Sequence, residues 1–234
     1  MKKLLLAIAL LLPQAVFADA KIQDSDCVIL LHGVMRDAGS MFFLERDLKN
    51  HGFFVVNDGY PSTSASVEEL AKSHIPQAIA KCPEGSTVNF VTHSMGGILV
   101  RAFYANPANV RPNRVVMLAP PNHGSEIIDD ELFAVFGGIS GESGAELGTS
   151  PQSLPNRLGA VDYPVGIVAG NFSINPIFSD VIPSDDDGAV SVGSTHVEGE
   201  NDWILIKASH SFIMNNSVAR RHVIEFLQNG HFTH

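Results

Sequence analysis

The chain has 234 residues, of which 45% are hydrophobic and 17% are charged, so a disordered protein is excluded and one folded domain is expected. Its formal net charge of −10 argues against nucleic acid as a partner and against attraction to an anionic membrane surface. A lipid substrate would therefore have to be recognised through a local apolar patch.

The amino-terminal segment has the pattern of a secretory signal peptide over residues 1–18. Two lysines precede an apolar run over residues 4–12, and small residues follow, with cleavage expected after Ala18 and Ala20 as the alternative site. The run is too short for a stable membrane span, which takes about 20 apolar residues. The sequence thus predicts an exported protein, periplasmic or secreted, with a single domain over residues 19–234.

Apolar segments typical of strands alternate with helical segments along the rest of the chain. Strands are predicted over residues 27–32, 53–57, 88–92, 114–118, 165–169 and 203–207. Helices are predicted over residues 40–51, 66–81, 95–105 and 214–228, with Pro76 expected to kink or divide the second. This alternation predicts an α/β fold with a mostly parallel, doubly wound sheet and helices on both faces.

A glycine-rich stretch over residues 122–159 interrupts the alternation after the fourth strand. Long irregular segments beside the carboxyl end of a parallel strand are usually binding loops or lids, so a lid-like insertion is expected here. Phe133 and Phe136 lie in its apolar cluster. They suit a lipid or another apolar acyl group, while packing of both rings onto the sheet is an equally supported alternative.

The chain has two cysteines, Cys27 and Cys82, and each lies close to an apolar run. In an oxidising compartment they could be joined, and if the runs are neighbouring strands the bond would stabilise the fold by roughly 4 kcal/mol. Two cysteines carry little pattern information, so two separate buried thiols are the alternative.

Ser94 stands at the end of an apolar strand pattern, where small residues begin a helix. The run Val-Asn-Phe-Val-Thr-His-Ser-Met-Gly-Gly has the form of a nucleophile elbow, a strained turn that exposes a serine hydroxyl. Gly96 lets the helix pass close to the strand, whereas Thr92 replaces the usual first glycine of the motif. We therefore predict Ser94 as a nucleophile, the alternative being a plain serine-glycine turn that opens a helix.

A serine that attacks an ester carbonyl needs backbone donors for the oxyanion that forms. One donor is expected from the N–H of Met95, at the start of the helix. The second is expected from the N–H of Val34, which follows Gly33 at the end of the first strand. His32 and His93 each precede one of these backbone features, so structural roles are expected for both.

A serine nucleophile also needs a histidine base and an acid that orients it, in the chain order serine, acid, histidine. The acid is predicted to be Asp187, because Asp-Gly before an apolar residue gives a tight turn that presents a carboxylate. Asp186 and Asp185 are weaker candidates. The rival interpretation of this run is a solvated acidic loop or a weak calcium site.

The base is predicted to be His210, which follows the sixth strand. His123 and His196 are reserve candidates, because the first lies in the loop after the fourth strand and the second follows the acidic turn closely. Other histidines lie in predicted helices or in the carboxyl-terminal tail, where structural roles are expected: His51, His74, His222, His231 and His234.

These motifs together resemble the α/β-hydrolase superfamily, and within it the small bacterial triacylglycerol lipases and esterases. The resemblance rests on His32-Gly33, on His93-Ser94-Met95-Gly96-Gly97, on Asp187-Gly188 and on His210. It implies a minimal version of the fold, in which the first strand here is the family's third and the two outermost strands are missing. It also implies that Met95 and Val34 form the oxyanion hole, and that Cys27 and Cys82 lead into neighbouring strands, which supports a disulfide. Thr92 is the departure from the family pattern.

The residues and the resemblance predict a serine hydrolase that cleaves carboxylic esters, of a lipid or another small molecule, through an acyl-enzyme. This chemistry requires no metal and no organic cofactor. A thioesterase, an acyltransferase or a phospholipase would use the same residues. From a different class, a non-catalytic binding protein on the same fold is the alternative, although none of the three predicted positions has been lost.

Overall fold

A six-stranded parallel sheet runs through the two ranges that the computed structural model describes, residues 26–130 and 140–234. The strands are β1 (Asp26–Leu31), β2 (Phe54–Val56), β3 (Thr87–His93), β4 (Arg114–Leu118), β5 (Val165–Gly170) and β6 (Asp202–Ile206). Their order across the sheet is β2-β1-β3-β4-β5-β6, and each neighbouring pair is parallel. The predicted parallel sheet is confirmed. The predicted signal peptide, Phe133 and Phe136 lie outside the described residues.

Helices cover both faces of the sheet, as expected for a doubly wound fold. The longer ones in the described ranges are α1 (Phe42–Asn50), α2 (Val67–Ile79), α3 (Met95–Tyr104) and α4 (Ser217–Asn229). α2 and α3 pack against Ile29 and Leu31 of β1, whereas α1 and α4 pack on the opposite face, against Val28 and Leu30. Among the described residues, no helix combines the length and the apolar character needed to cross a bilayer.

The closing helix begins at Ser217, not at residue 214 as predicted. The side chain of Asn216 accepts hydrogen bonds from the N–H groups of Val218 and Ala219, and this cap fixes where the helix starts. The preceding residues, His210–Asn215, form a 3₁₀ helix instead.

Other predicted elements also differ in extent by a few residues, β2 and α2 among them. β2 is confined to Phe54–Val56, because only these residues pair with β1. α2 ends at Ile79 instead of residue 81, and it continues through Pro76 without being divided. The proline lies in the last turn of α2, where Ala80 still donates to its carbonyl oxygen.

The described part of residues 122–159 is irregular apart from short helical turns, such as Glu126–Asp129 and Leu154–Arg157. Leu147 and Leu154 are buried in the core beside α2 and α3. The part of this segment around Leu147 and Leu154 is therefore packed against the same face of the sheet as these two helices.

Arg101 of α3 ties the two ends of this segment together. Its buried guanidinium donates to the carbonyl and side-chain oxygens of Asn122, at 2.9 and 3.1 Å, and to the carbonyl oxygens of Pro155 and Gly159, at 2.9 and 2.8 Å. All four acceptors are neutral oxygens. Burial lowers the pKa of Arg101 to about 10, so the guanidinium still carries its charge near neutral pH.

Cys27 and Cys82 form a disulfide bond, with Cα atoms 5.7 Å apart. Cys27 lies in β1, and Cys82 lies between α2 and the neighbouring strand β3. The pairing is confirmed, and the alternative of two separate thiols is wrong. The bond lies at the end of the sheet where the neighbouring strands β1 and β3 begin.

Candidate active site

Ser94 occupies the turn between β3, which ends at His93, and α3, which begins at Met95. Its backbone has a φ of 52° and a ψ of −125°, a conformation that side-chain-bearing residues rarely adopt. Gly96 permits this turn, because a Cβ atom there would lie 2.4 Å from the carbonyl oxygen of Leu31 in β1. The strained turn expected from the sequence is therefore present.

Thr92 stands where the nucleophile motif usually has its first glycine, and it is accommodated within the core. Its side chain is fully buried beside Gly97 of α3. Among the described residues, its Oγ1 has no hydrogen-bond partner. The departure from the motif thus leaves one polar atom unsatisfied without displacing Ser94 from the turn.

Ser94, His210 and Asp187 form a continuous chain of hydrogen bonds. The Ser94 hydroxyl lies 3.0 Å from His210 Nε2, and His210 Nδ1 lies 2.9 Å from Asp187 Oδ2. Because a carboxylate only accepts, Nδ1 carries the proton and Nε2 is left to accept from the serine. The structure therefore brings together the three residues predicted from separate segments of the chain.

The Asp187 carboxylate is held in place by several further contacts. It is 1% exposed, and its Oδ1 accepts from the N–H groups of Ala189 and Val190 at 3.0 and 2.9 Å. The backbone N–H of His210 also donates to the Asp187 carbonyl oxygen at 2.8 Å. The positions of the carboxylate and of the imidazole are thus fixed relative to each other by backbone as well as side-chain contacts.

The neighbouring acids take different places in the same turn. Asp186 Oδ1 accepts from the Ser179 hydroxyl and from the N–H of Gly188, at 2.8 and 2.6 Å. Gly188 has a φ of 98°, which favours glycine after the aspartates. Within residues 26–130 and 140–234, no group of three or more His, Cys, Asp or Glu side chains is arranged to hold a metal ion. The carboxylates of Asp186 and Asp187 are therefore held by different partners within the same turn.

His93 supports the loop that carries His210. Its Nε2 donates to the carbonyl oxygen of His210 at 2.9 Å, and burial lowers its pKa well below the usual range, with the positive charge of Arg36 acting in the same direction. Its Nδ1 faces Gly33, where a Cβ atom would lie 2.9 Å away. His93 is therefore a neutral, packed histidine. Position 33 requires glycine because a side chain there would collide with the His93 ring.

His32 is held by the loop that follows β2. Its Nδ1 donates to the carbonyl oxygen of Gly33 at 2.8 Å, and its Nε2 accepts from the N–H of Tyr60 at 3.2 Å. The two rings stack with centroids 4.3 Å apart, and burial lowers the pKa of His32. The reserve histidines are engaged elsewhere, His123 with Asn156 and His196 with Glu200.

The two residues expected to supply oxyanion donors, Met95 and Val34, come from different segments beside Ser94. Met95 is the first residue of α3, so its N–H has no acceptor within the helix. Val34 lies in the wall of the cavity onto which Ser94 opens. The next residue, Met35, has a φ of 58°, and its N–H donates to Ser62 Oγ at 3.1 Å.

Ser62 is a residue that the sequence interpretation missed. It is 5% exposed, and its carbonyl oxygen accepts from the buried hydroxyl of Ser143 in the described part of residues 122–159. Ser62 thus links that segment to the backbone that follows Val34. Its loop follows β2 and carries no motif, so nothing in the sequence pattern singled it out.

The cavity in front of Ser94 has a volume of about 430 Å³ and mostly apolar walls. Its apolar side chains come from the segment after β4 and from the loop after β5, and include Ile127, Ile128, Leu147, Phe178 and Val190. Arg36 also lines the wall and directly follows Met35 in the chain. The sequence interpretation considered only Phe133 and Phe136 for an apolar substrate surface, with packing onto the sheet as an equal alternative, so these wall residues were also missed.

Comparison with known proteins identifies the fold but gives no match in sequence. No protein family and no curated protein sequence matches the chain. The structure is similar to the mature form of lipase BlEst2 from Bacillus licheniformis, with a TM-score of 0.67 and 17% identity over 92% of this chain and 96% of that one. It is also similar to the metagenomic carboxyl esterase MGS0156, with a TM-score of 0.65 and 19% identity over 81% of this chain and 66% of that one.

A third similar structure is the phospholipase PlaB from Legionella pneumophila, with a TM-score of 0.61 and 19% identity. That match covers 73% of this chain but 45% of PlaB. The chain therefore has the α/β-hydrolase fold and resembles bacterial lipases and esterases in structure, at sequence identities that establish the fold alone.

Proposed function

We propose that this protein is a serine hydrolase that cleaves carboxylic esters through an acyl-enzyme. The observation that carries the proposal is the hydrogen-bond chain from Ser94 through His210 to the buried carboxylate of Asp187, at the mouth of an apolar cavity. A binding protein on the same fold would have no need of this alignment. The similarity to lipases and esterases supports the same class of reaction.

The proposed reaction has two halves. Ser94 Oγ attacks the ester carbonyl while His210 Nε2 accepts its proton, and the N–H groups of Met95 and Val34 stabilise the oxyanion. The C–O bond to the alcohol then breaks, and His210 returns the proton to the departing alcohol. Water, activated by the same imidazole, releases the acid and regenerates Ser94. Asp187 orients His210 and stabilises its protonated form throughout.

The apolar wall supports an acyl group as the part of the substrate that enters the cavity. A volume of about 430 Å³ suits a small or medium-sized apolar group, and burial of each methylene contributes about 0.8 kcal/mol. A thioester or an acyl transfer to another alcohol would use the same residues, so acyl-chain length and acceptor are questions for substrate profiling.

The test compares the parent with Ser94→Ala, using a fluorophosphonate probe and p-nitrophenyl esters of increasing chain length. Only a reactive serine displaces fluoride and forms the phosphorus–oxygen bond, so we expect labelling of the parent and a loss of ester hydrolysis of at least about 10⁴-fold in the variant. Ser86→Ala, at an exposed hydroxyl before β3, is the matched control and should keep both activities. A folded parent that neither labels nor hydrolyses would support the binding-protein alternative.

We also propose that the protein is exported. The disulfide between Cys27 and Cys82 supports this, because such bonds persist mainly in oxidising compartments. Mass spectrometry of the periplasmic or secreted protein should find an amino terminus at Asp19, or at Lys21 for the alternative cleavage. Recovery of the full-length chain with both thiols reduced from the cytoplasm would contradict the proposal.

A further inference from the structure

Arg36 is an exposed cation in the wall of the cavity. It lines the wall two residues after Val34, and its guanidinium Nη2 donates to the carbonyl oxygen of Ser211 at 3.3 Å. Within the described residues no carboxylate forms an ion pair with it, and no Asp or Glu lines the cavity. In a chain with a net charge of −10, Arg36 therefore brings a positive charge to a cavity whose lining contains no acid.

Arg36 lies on the side of the cavity where the alcohol part of the ester would leave. In the proposed reaction the departing alcohol takes its proton from His210 Nε2, so the alcohol part must lie on the His210 side of the cavity. Ser211, which accepts the hydrogen bond from Arg36, directly follows His210. The 3₁₀ helix that begins at His210 packs with α1 and α4, on the face of the sheet opposite α2 and α3.

An apolar part of the wall lies on the other face of the sheet, where Leu147 is buried with α2 and α3. Ile127 and Phe178, from the segments after β4 and β5, add to the apolar lining. The cavity is thus apolar where an acyl chain would lie and cationic where the alcohol would leave. This polarity matches a substrate with an apolar acid and a charged alcohol.

We propose that Arg36 binds a phosphate carried on the alcohol part of the substrate, so that the preferred substrate class is the acyl esters of phosphorylated alcohols. The inference rests on the proposed ester hydrolysis and names its substrate. A guanidinium offers several N–H donors in one plane, of which the contact with Ser211 uses one, and the others match two phosphate oxygens. The positive charge also attracts the substrate through water, which partly offsets the negative charge of the whole protein.

The experiment measures kcat/KM for 1-hexanoylglycerol and for its 3-phosphate, both below the concentration at which they aggregate. The two esters share the acyl chain and differ in the phosphate. We expect the parent to prefer the phosphate ester by about fivefold, as for an ion pair at a partly exposed site. This preference should shrink when the salt concentration rises to about 0.5 M.

Variants separate recognition from general damage. Arg36→Gln should bring the ratio of kcat/KM for the phosphate ester to kcat/KM for the neutral ester down to about one, and Arg36→Lys should keep part of the preference. Arg46→Gln is the control, because it removes one positive charge from an exposed position on α1, where the guanidinium pairs with Asp47. It should keep the full preference.

The outcomes also separate the inference from the function on which it rests. A parent that hydrolyses both esters without preference, or an Arg36→Gln variant that loses equally on both, overturns the role of Arg36 and leaves the serine hydrolase intact. A parent that cleaves no ester and does not react with the fluorophosphonate overturns the proposed function itself.

Discussion

Replacing Arg101 with methionine should lower the free energy of unfolding by about 3 kcal/mol. The substitution keeps an unbranched apolar stem in α3 but removes the donors that serve Asn122, Pro155 and Gly159. Three of the four acceptors, the carbonyl and side-chain oxygens of Asn122 and the carbonyl oxygen of Pro155, are buried, whereas Gly159 is exposed. Each buried acceptor left without a partner costs about 1 kcal/mol or more.

Two opposing effects set the size of this change. Hydrogen bonds from a charged donor are worth about 1.5–3 kcal/mol each, so four of them would exceed the value above. Burying a cation without a carboxylate partner is itself costly, as the lowering of the Arg101 pKa to about 10 indicates, and the methionine removes that cost. The net loss of stability is therefore closer to the cost of leaving the buried acceptor oxygens without a partner, about 1 kcal/mol each.

Urea unfolding followed by tryptophan fluorescence would measure the change, since Trp203 is the single tryptophan of the chain. Its indole N–H donates to Thr195 and its ring stacks on His196, so unfolding changes its surroundings. Arg221→Met on α4, where the side chain is 63% exposed, is the control and should cost less than about 0.5 kcal/mol. A loss below about 1 kcal/mol for Arg101→Met would mean that water replaces the guanidinium at these carbonyls, and the reasoning would fail.

Three further changes test other parts of the structure. Gly96→Ala should cost at least about 2 kcal/mol, because the new Cβ would lie 2.4 Å from a backbone oxygen. Gly193→Ala, where a Cβ atom meets nothing within 4 Å, should leave the melting temperature nearly unchanged. Replacing both Cys27 and Cys82 with alanine should lower stability by about 4 kcal/mol for the 55-residue separation, while the rate of fluorophosphonate labelling at low temperature stays the same. Because burial holds the pKa of His93 below its usual value of about 6.5, the unfolded chain binds this proton more readily, and stability falls as the pH drops below that value. Urea unfolding from pH 7 to pH 5 should therefore show a shallower loss in His93→Gln, by up to about 1.4 kcal/mol per pH unit, and equal slopes in both proteins would contradict the buried neutral histidine.

The strands and the elbow could be predicted because they depend on local pattern. Buried parallel strands require continuous apolar runs, and the turn at Ser94 requires a small residue at Gly96, so both leave a direct record in the sequence. The same holds for Asp187 and His210, which follow strand ends where a parallel sheet gathers its loops.

Contacts between distant loops could not be predicted in this way. Ser62 accepts a hydrogen bond from Met35, and Arg36 donates one to Ser211. The residues of each pair lie far apart in the chain, so no repeating sequence pattern indicates the contact. The start of α4 was missed for a different reason. Two asparagines stand side by side, and only the geometry of Asn216 decides which of them caps the helix.

The direction of the parallel strands also has a practical consequence. The carboxyl end of each strand points towards the cavity in front of Ser94. The opposite end of the sheet, where the strands begin and where Cys27 forms its disulfide, therefore faces away from the cavity. His234 lies at this end of the sheet, where its ring is hydrogen-bonded to Asp202, the first residue of β6. A resin, an electrode or a fluorescent reporter coupled there would hold the molecule with its cleft open to bulk solution, and the orientation would require no redesign of the surface.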